Sequence, residues 1–189
     1  NHAPDEPLDL QHYEAIGGMT GALSQHADEI YQALDERSQA VAEKLFKCLT
    51  EKGPDNREIR RPTSLAEVCA VAGATPEEVI RVVDTFRTTG RSFLIPPEEV
   101  ELSESSVLDI SHESFMRVWK RLKNWVDDEA RSAQIYRRLA ETAVLHEAGQ
   151  AGYLQDPELT VGLTWRQVVK PNEVWAERYS PEFEQTIAF

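Results

Sequence analysis

Residues 107–125, VLDISHESFMRVWKRLKNW, contain the pattern that decides the fold. The stretch opens with an apolar run, Val107, Leu108 and Ile110, which predicts a short strand. Apolar residues then recur at three- and four-residue steps, which predicts a long amphipathic helix that ends near residues 125–127. The apolar face of that helix is formed by Phe115, Val118, Trp119, Leu122, Trp125 and Val126. We therefore expect a strand that runs directly into a helix at the centre of the fold.

The junction between this strand and helix carries polar residues with a chemical signature. Ser111 is placed to cap the helix, because its hydroxyl can accept a hydrogen bond from a first-turn N–H group. His112 and Glu113 would lie in the first turn, where free N–H groups and the helix dipole favour an anion. The imidazole could add its own N–H to a phosphate site. From the residues alone, local hydrogen bonding of His112 is the competing interpretation.

Composition limits the classes of function. The chain has 189 residues, of which 41% are hydrophobic, so it can bury a core as one domain or two small ones. The formal net charge of −13 argues against nucleic acid and against an anionic membrane surface as partners. Cys48 and Cys69 predict buried, reduced thiols, and no apolar run reaches membrane-spanning length. We expect a cytoplasmic protein without a membrane partner, and the sequence looks like a piece of a longer chain.

Capping signals divide the region upstream of the junction into helices. Residues 22–34 form a predicted helix that follows a turn at Gly17 and Gly18, and Asp35 can cap the next helix, over residues 36–50. A polar loop over residues 53–61 follows.

A short helix and a third helix are predicted next. Ser64 begins the short one with a capping box, and Gly73 ends it. Thr75, with Pro76 and Glu78 after it, begins the third helix.

Two apolar runs complete the pattern of a winged helix-turn-helix. Residues 92–96 and 107–110 are joined by an acidic loop and predict a β-hairpin, which would be the wing. After the long helix, Asp127 and Asp128 predict a break, with a second helix over residues 129–149 folded back as a helical hairpin. The predicted fold class is mainly α: a winged helix-turn-helix domain with a small β-hairpin wing, flanked by helical segments and a helical hairpin.

Three features together resemble the STAND class of signalling ATPases, and more narrowly the bacterial novel STAND group, which is related to NB-ARC proteins. They are GGMTGAL at residues 17–23, the winged-helix pattern, and LDISHESFMRVWKRLKNW at residues 108–125. In such proteins a P-loop ATPase domain precedes a helical lid, a winged helix and a downstream repeat or sensor region. The resemblance implies that residues 1–34 end the lid, residues 35–114 form the winged-helix domain, and residues 115–189 form the helical hairpin and a tail leading downstream.

Two motifs of that family match residues of this chain. GGMTGAL lies at the position of the GLPL motif, which lines the adenine pocket, so the resemblance assigns Gly18 and Thr20 to nucleotide binding, with Thr20 at the proline position. Ser111, His112 and Glu113 lie at the position of the MHD motif, with Ser111 replacing Met and Glu113 replacing Asp. The histidine of that motif contacts the β-phosphate of ADP and holds the winged helix on the ATPase domain. The resemblance therefore implies ADP or ATP as cofactor of the full-length protein, with none held tightly by this piece.

No catalytic residues are predicted. The sequence contains no GxxxxGK[ST] motif, so the resemblance implies that the ATPase activity belongs to the parent protein, through an upstream P-loop domain in the same chain. His12, His26 and His146 lack metal-ligand spacing, and we predict no metal site. A stand-alone hydrolase would need a nucleophile beside a base, and the sequence offers no such pair.

The alternative function is a DNA-binding winged-helix transcription regulator. A recognition helix needs basic or amide side chains near its N-terminus to reach base edges, whereas this one carries Glu77 and Glu78. The predicted wing tip is also acidic, with Glu98, Glu99, Glu101 and Glu104. We therefore favour a protein-docking module of a nucleotide-dependent conformational switch in signal transduction. The expected partners are the upstream ATPase domain and a downstream repeat domain.

Overall fold

The computed structural model describes residues 18–53, 55–88 and 92–189, and this part of the chain is mainly helical with small antiparallel sheets. Of the first three residues of the first helix, only the backbone is described. The helices are α1 Gly18–Gln32, α2 Glu36–Cys48, α3 Leu65–Ala72, α4 Pro76–Arg87, α5 Glu113–Val118, α6 Lys120–Glu147, α7 Glu158–Val169, α8 Glu173–Glu177 and α9 Phe183–Ala188. The strands are β1 Thr50–Lys52, β2 Glu58–Arg60, β3 Thr63–Ser64, β4 Leu94–Ile95 and β5 Val107–Ile110.

The strands form two small antiparallel sheets. β1 and β2 pair as a hairpin, with Thr50 opposite Arg60, and β2 lies inside residues 53–61, which the sequence predicted as a polar loop. The other sheet has the order β3-β5-β4, so β5 lies in the centre. Its register places Leu108 opposite Thr63, and Ile110 opposite Leu94. β5 is therefore paired on both of its edges before the chain enters the junction.

Two helices begin at the capping side chains that the sequence predicts. Asp35 accepts a hydrogen bond from the Ser38 N–H at 2.8 Å and begins α2. The Ser64 hydroxyl accepts one from the Glu67 N–H at 3.2 Å and begins α3. The Glu67 carboxylate lies instead within ionic distance of Arg61, at 3.5 Å. The predicted start of α3 at Ser64 is therefore confirmed.

The turn between α3 and α4 is also confirmed. Gly73 ends α3 with a φ of 58°, a left-handed conformation that a side chain disfavours. Thr75 and Glu78 then form a complete capping box, with Pro76 at the first helical position. These local signals position α3 and α4 relative to each other before any distant contact is made.

A cluster of aromatic side chains fills the core beneath the β5–α5 junction. The Phe46 ring from α2 contacts Phe86 and Trp119 edge to face, each at a centroid distance of 5.0 Å. Phe93 stacks on Phe115 at 4.5 Å. The predicted apolar face is buried except at the half-buried Val118, so this part of the periodicity prediction is confirmed.

The predicted long helix is interrupted at Trp119, which the sequence did not predict. Trp119 is extended, with φ −78° and ψ 103°, and separates α5 from α6. Its indole is fully buried and donates a hydrogen bond to Asp28 of α1 at 3.0 Å. The Ser24 hydroxyl of α1 lies 3.4 Å from the Lys120 N–H and can accept its hydrogen at the start of α6. Contacts with α1 therefore compensate for the hydrogen bonds that the break removes.

The predicted helical hairpin is wrong, because α6 is one helix of 28 residues that continues through Asp127 and Asp128. Asp127 forms an ion pair with Lys52 of β1 at 2.5 Å, and Asp128 pairs with Arg131 one turn later. These partners offset the poor helix propensity of the two aspartates, and no glycine or proline interrupts the stretch. The tail that follows α6 also contains the helix α7.

The C-terminal helices return to the N-terminal half of the described chain. Asn172 donates a hydrogen bond to the Ala70 carbonyl at the end of α3, at 2.8 Å. Arg178 donates one to the Cys48 carbonyl at the end of α2, at 3.0 Å. None of the helices in the described ranges has the length and apolarity needed to cross a bilayer.

Candidate functional site

Two hydrogen bonds fix the backbone at the junction between β5 and α5. The Ser111 N–H donates to the Phe93 carbonyl at 3.0 Å, and the Ser111 hydroxyl donates to the Ser92 carbonyl at 2.6 Å. Both acceptors lie beside β4, so Ser111 is tied to the neighbouring strand. The prediction that Ser111 caps the helix is wrong, because its hydroxyl is used in this sheet contact.

His112 occupies the N-cap position of α5, which the sequence assigned to Ser111, so the helix begins one residue later than predicted. Its backbone is extended, with φ −137° and ψ 129°, and its side chain makes no capping hydrogen bond. The imidazole is exposed, and within the described ranges no hydrogen bond or ion pair to it is found. A fixed backbone with an uncommitted imidazole can present that ring to a group outside the described residues.

Glu113 begins α5 and is paired within the helix. Its carboxylate accepts a hydrogen bond from the Arg117 guanidinium at 2.6 Å, and both side chains are exposed. α5 has only six residues, so its dipole at this end is weaker than that of the long helix predicted from sequence. The acid that follows His112 in the chain is therefore already paired with a cation.

Arg60 is a residue of the junction that sequence analysis did not select. It donates from β2 to the Asp109 carboxylate and to the Ile110 carbonyl, each at 3.1 Å. Asp109 is buried and also accepts a hydrogen bond from the Ile110 N–H at 2.7 Å. Arg60 therefore fixes the last residues of β5 from the side opposite Ser111. In the sequence, only the Arg-Arg pair before Pro62 marked this position.

A shallow cavity adjoins these contacts. Its volume is about 290 Å³, and its lining consists of Ile59, Arg60, Pro62, Asp109 and Glu113. Both acids in this lining accept hydrogen bonds from arginine, which limits the negative charge facing the cavity.

The second predicted motif lies at the start of α1. Gly18 and Thr20 fall in the first turn of this helix, and nothing is described of their side chains. Gly18 is thus helical rather than part of the predicted turn, and Gly17 lies outside the described residues. No described hydrogen bond or ion pair joins α1 to Ser111, His112 or Glu113. The proposed adenine contact of Gly18 and Thr20 stays a prediction.

Of the basic residues that follow the junction, one is paired with α1 and two are exposed at the surface. Arg121 pairs with Asp28 of α1 at 2.7 Å, and its guanidinium lies 4.4 Å from the Tyr31 ring centroid. Lys120 and Lys123 are exposed. Arg121 therefore holds α1 against α6, while the two lysines remain at the surface.

The N-terminal part of α4 presents acids. Glu78 pairs with Arg37 of α2 at 2.9 Å, and that hydrogen bond lowers the pKa of Glu78 to about 2. Glu77 is exposed, and its pKa is also lowered, chiefly by its own backbone N–H. The acids of the loop before β5, Glu98, Glu99, Glu101 and Glu104, are exposed. This face is negatively charged at neutral pH and would repel a phosphate backbone.

Neither cysteine has the surroundings of a reactive thiol. Burial raises the pKa of Cys48, which is fully enclosed, and raises that of Cys69, which is half-buried. Both are free thiols, and the prediction of burial is confirmed for Cys48, whereas Cys69 is only half-buried. Within the described ranges, no group of three or more histidine, cysteine, aspartate or glutamate residues could hold a metal ion.

Comparison with known families supports the resemblance. The family model described as Novel STAND NTPase 1 matches residues 1–152, which is most of the chain. The chain belongs to the Novel STAND NTPase 1 family. The matched range includes both motifs, α5 and the whole of α6. Neither the curated proteins nor the solved structures gave a match.

Proposed function

We propose that this member of the Novel STAND NTPase 1 family is the regulatory and interaction region of a nucleotide-switched signalling ATPase. In this proposal, residues 35–114 form a winged-helix domain that docks on an ATPase core in the same polypeptide. His112 contacts the β-phosphate of bound ADP. The uncommitted imidazole of His112 at a fixed backbone position is the observation that carries the proposal.

The order and pairing of elements support the winged-helix assignment. The β4–β5 hairpin follows α2, the β1–β2 hairpin, β3, α3 and α4 in that order. β5 pairs with both β3 and β4, which is the arrangement expected when a hairpin packs beside a helix-turn-helix unit. The loop between β4 and β5 would be the tip of the wing. Its acids favour docking to a protein over binding to DNA.

The contacts at the junction support a two-state mechanism. With ADP bound, His112 would donate to the β-phosphate and hold residues 35–114 on the ATPase core. Exchange to ATP would remove that contact and release the domain, exposing surfaces for assembly. A nucleotide shifts such an equilibrium only through unequal contacts with the two states, and His112 would supply one of them.

Replacing His112 tests the mechanism. In the full-length protein, His112→Ala should release ADP about tenfold faster or more, because a hydrogen bond to a charged group is worth about 1.5–3 kcal/mol. Ser114→Ala is the matched control, since Ser114 is exposed two residues along the same junction. Release of a fluorescent ADP analogue measures both variants. Equal ADP retention by His112→Ala and the parent would reject the role of His112.

The remaining assignments follow from the same proposal. Gly18 and Thr20 would line the adenine pocket, ADP or ATP would be the cofactor, and a repeat domain would follow downstream. The 189 residues contain no GxxxxGK[ST] motif, so we expect no ATP turnover from them alone. We propose a cytoplasmic location, in keeping with the free thiols.

A further inference from the structure

A second cavity lies on the face of α6 near β1, in contact with none of the junction residues described above. Its volume is about 470 Å³. The lining comes from β1 and the turn after it, from one face of α6, and from Tyr179 after α8. Three elements that are distant in sequence therefore form its walls.

Glu129 of α6 is the chemically distinctive residue of this cavity. It is 6% exposed, yet it lines the cavity wall. One of its oxygens, Oε1, accepts hydrogen bonds from the Trp175 indole at 2.6 Å and from the Tyr179 hydroxyl at 2.8 Å. Its other oxygen, Oε2, accepts no hydrogen bond from any residue that the structure describes.

No cation within the described ranges pairs with Glu129. The Lys52 ammonium lines the same cavity but is paired with Asp127 at 2.5 Å. The Arg137 guanidinium lies over the Tyr179 ring, 5.3 Å from its centroid. A buried carboxylate without a cationic partner is costly, because two neutral donors offset only part of its lost hydration. A positively charged group in the cavity would remove that cost.

We propose that this cavity binds an organic cation, an alkylammonium or guanidinium group, through Oε2 of Glu129. Tyr179 would contribute its ring as a wall and its hydroxyl as a fixed donor to Oε1. Burial raises the pKa of Tyr179, and the Glu129 carboxylate raises it further, so the hydroxyl remains protonated. The cation would come from a free small molecule or from a lysine or arginine side chain, since both present the same chemistry. This inference does not depend on the nucleotide switch.

Titration with a charged and a neutral probe of the same shape tests the proposal. n-Butylammonium chloride is added to the protein, and the indole N–H signal of Trp175 is followed by ¹H–¹⁵N NMR, because that group shares Glu129 with the cavity. We expect a saturable shift with n-butylammonium and none with 1-butanol. Nα-acetyl-lysine amide serves as a third probe. If this probe binds, the site is assigned to protein side chains. If n-butylammonium binds and this probe does not, the site is assigned to free amines.

Glu129→Gln is the decisive variant. Glutamine retains an acceptor for Trp175 and Tyr179 but removes the charge, and we expect probe affinity to fall about tenfold or more. Ala130→Leu leaves Glu129 intact but fills the cavity, so it should also abolish binding. This variant tests the proposal if Glu129→Gln does not fold. An absence of saturable binding in the parent, or equal binding by the parent and a folded Glu129→Gln variant, would overturn the proposal.

Discussion

Arg178 is the residue that most directly fastens the C-terminal helices to the rest of the described chain. Its side chain is 3% exposed and lies against the end of α2, where it donates to the Cys48 carbonyl. The carbonyls at a helix C-terminus lack intrahelical partners and attract a cation. Its Nε lies 3.6 Å from the Glu67 carboxylate, beyond hydrogen-bond distance, so that contact is ionic only. Arg178 thus serves as a cap supplied from a distant element.

Replacing Arg178 should destabilise the protein strongly. Arg178→Met leaves the Cys48 carbonyl without its cation and leaves Glu67 with Arg61 alone, and we expect a loss of about 3 kcal/mol in the free energy of unfolding. Arg131→Met is the control, since its ion pair with Asp128 is exposed and should contribute less than about 1 kcal/mol. Urea denaturation followed by fluorescence measures both. Similar losses for the two variants would show that Arg178 is not an anchor.

At the scale of single elements, the connection between α3 and α4 is the best-determined part of the fold. Gly73, Thr75, Pro76 and Glu78 each provide a local signal, and the structure contains each feature they predict. What the sequence did not indicate is that Arg37 of α2 donates to both Glu78 and the Gly73 carbonyl. The turn is therefore held by its own residues and also by α2.

Acid should weaken this connection. The hydrogen bond from Arg37, and then that from the Thr75 N–H, lowers the pKa of Glu78 from 4.5 to about 2. A carboxylate whose pKa is lower in the folded state stabilises above its unfolded pKa, and this contribution is lost as pH falls through the folded pKa. The stability advantage of the parent over Glu78→Gln should thus be full above about pH 4.5 and shrink towards pH 2. Chemical denaturation of both proteins at several pH values measures this difference, and a constant difference would contradict it.

At the scale of the whole molecule, the charge argues against the alternative of DNA binding. The net charge is −13, and the exposed acids before β5 lie where a DNA-binding wing would need cations. We expect no salt-sensitive gel shift with duplex DNA at about 50 mM salt, where phosphate contacts are strong. A basic winged-helix protein, run on the same gel as a positive control, confirms that the assay detects DNA binding. A shift that weakens with added salt would instead support the alternative of a transcription regulator.

The sequence by itself determined the local features of this protein. Helix starts at Asp35, Ser64 and Thr75, the stop at Gly73 and the buried aromatic face after β5 all depend on neighbours within a few residues, so their signals are visible in one stretch. The two stretches that resemble STAND motifs were recognisable for the same reason, since each is contiguous. Ser111 was misassigned because its hydroxyl donates to a distant acceptor, the Ser92 carbonyl, whereas the predicted cap would have it accept from a first-turn N–H.

Only the tertiary structure decided where the long helices break and continue. Trp119 interrupts the helix because its indole N–H donates a hydrogen bond to Asp28, which is distant in sequence. Asp127 remains helical because Lys52 pairs with it. Glu129 is buried because Trp175 and Tyr179, residues of the C-terminal region, donate to it. Each outcome depends on a hydrogen bond or ion pair between residues far apart in the chain, and such pairings leave no periodic or spacing signal in a single sequence.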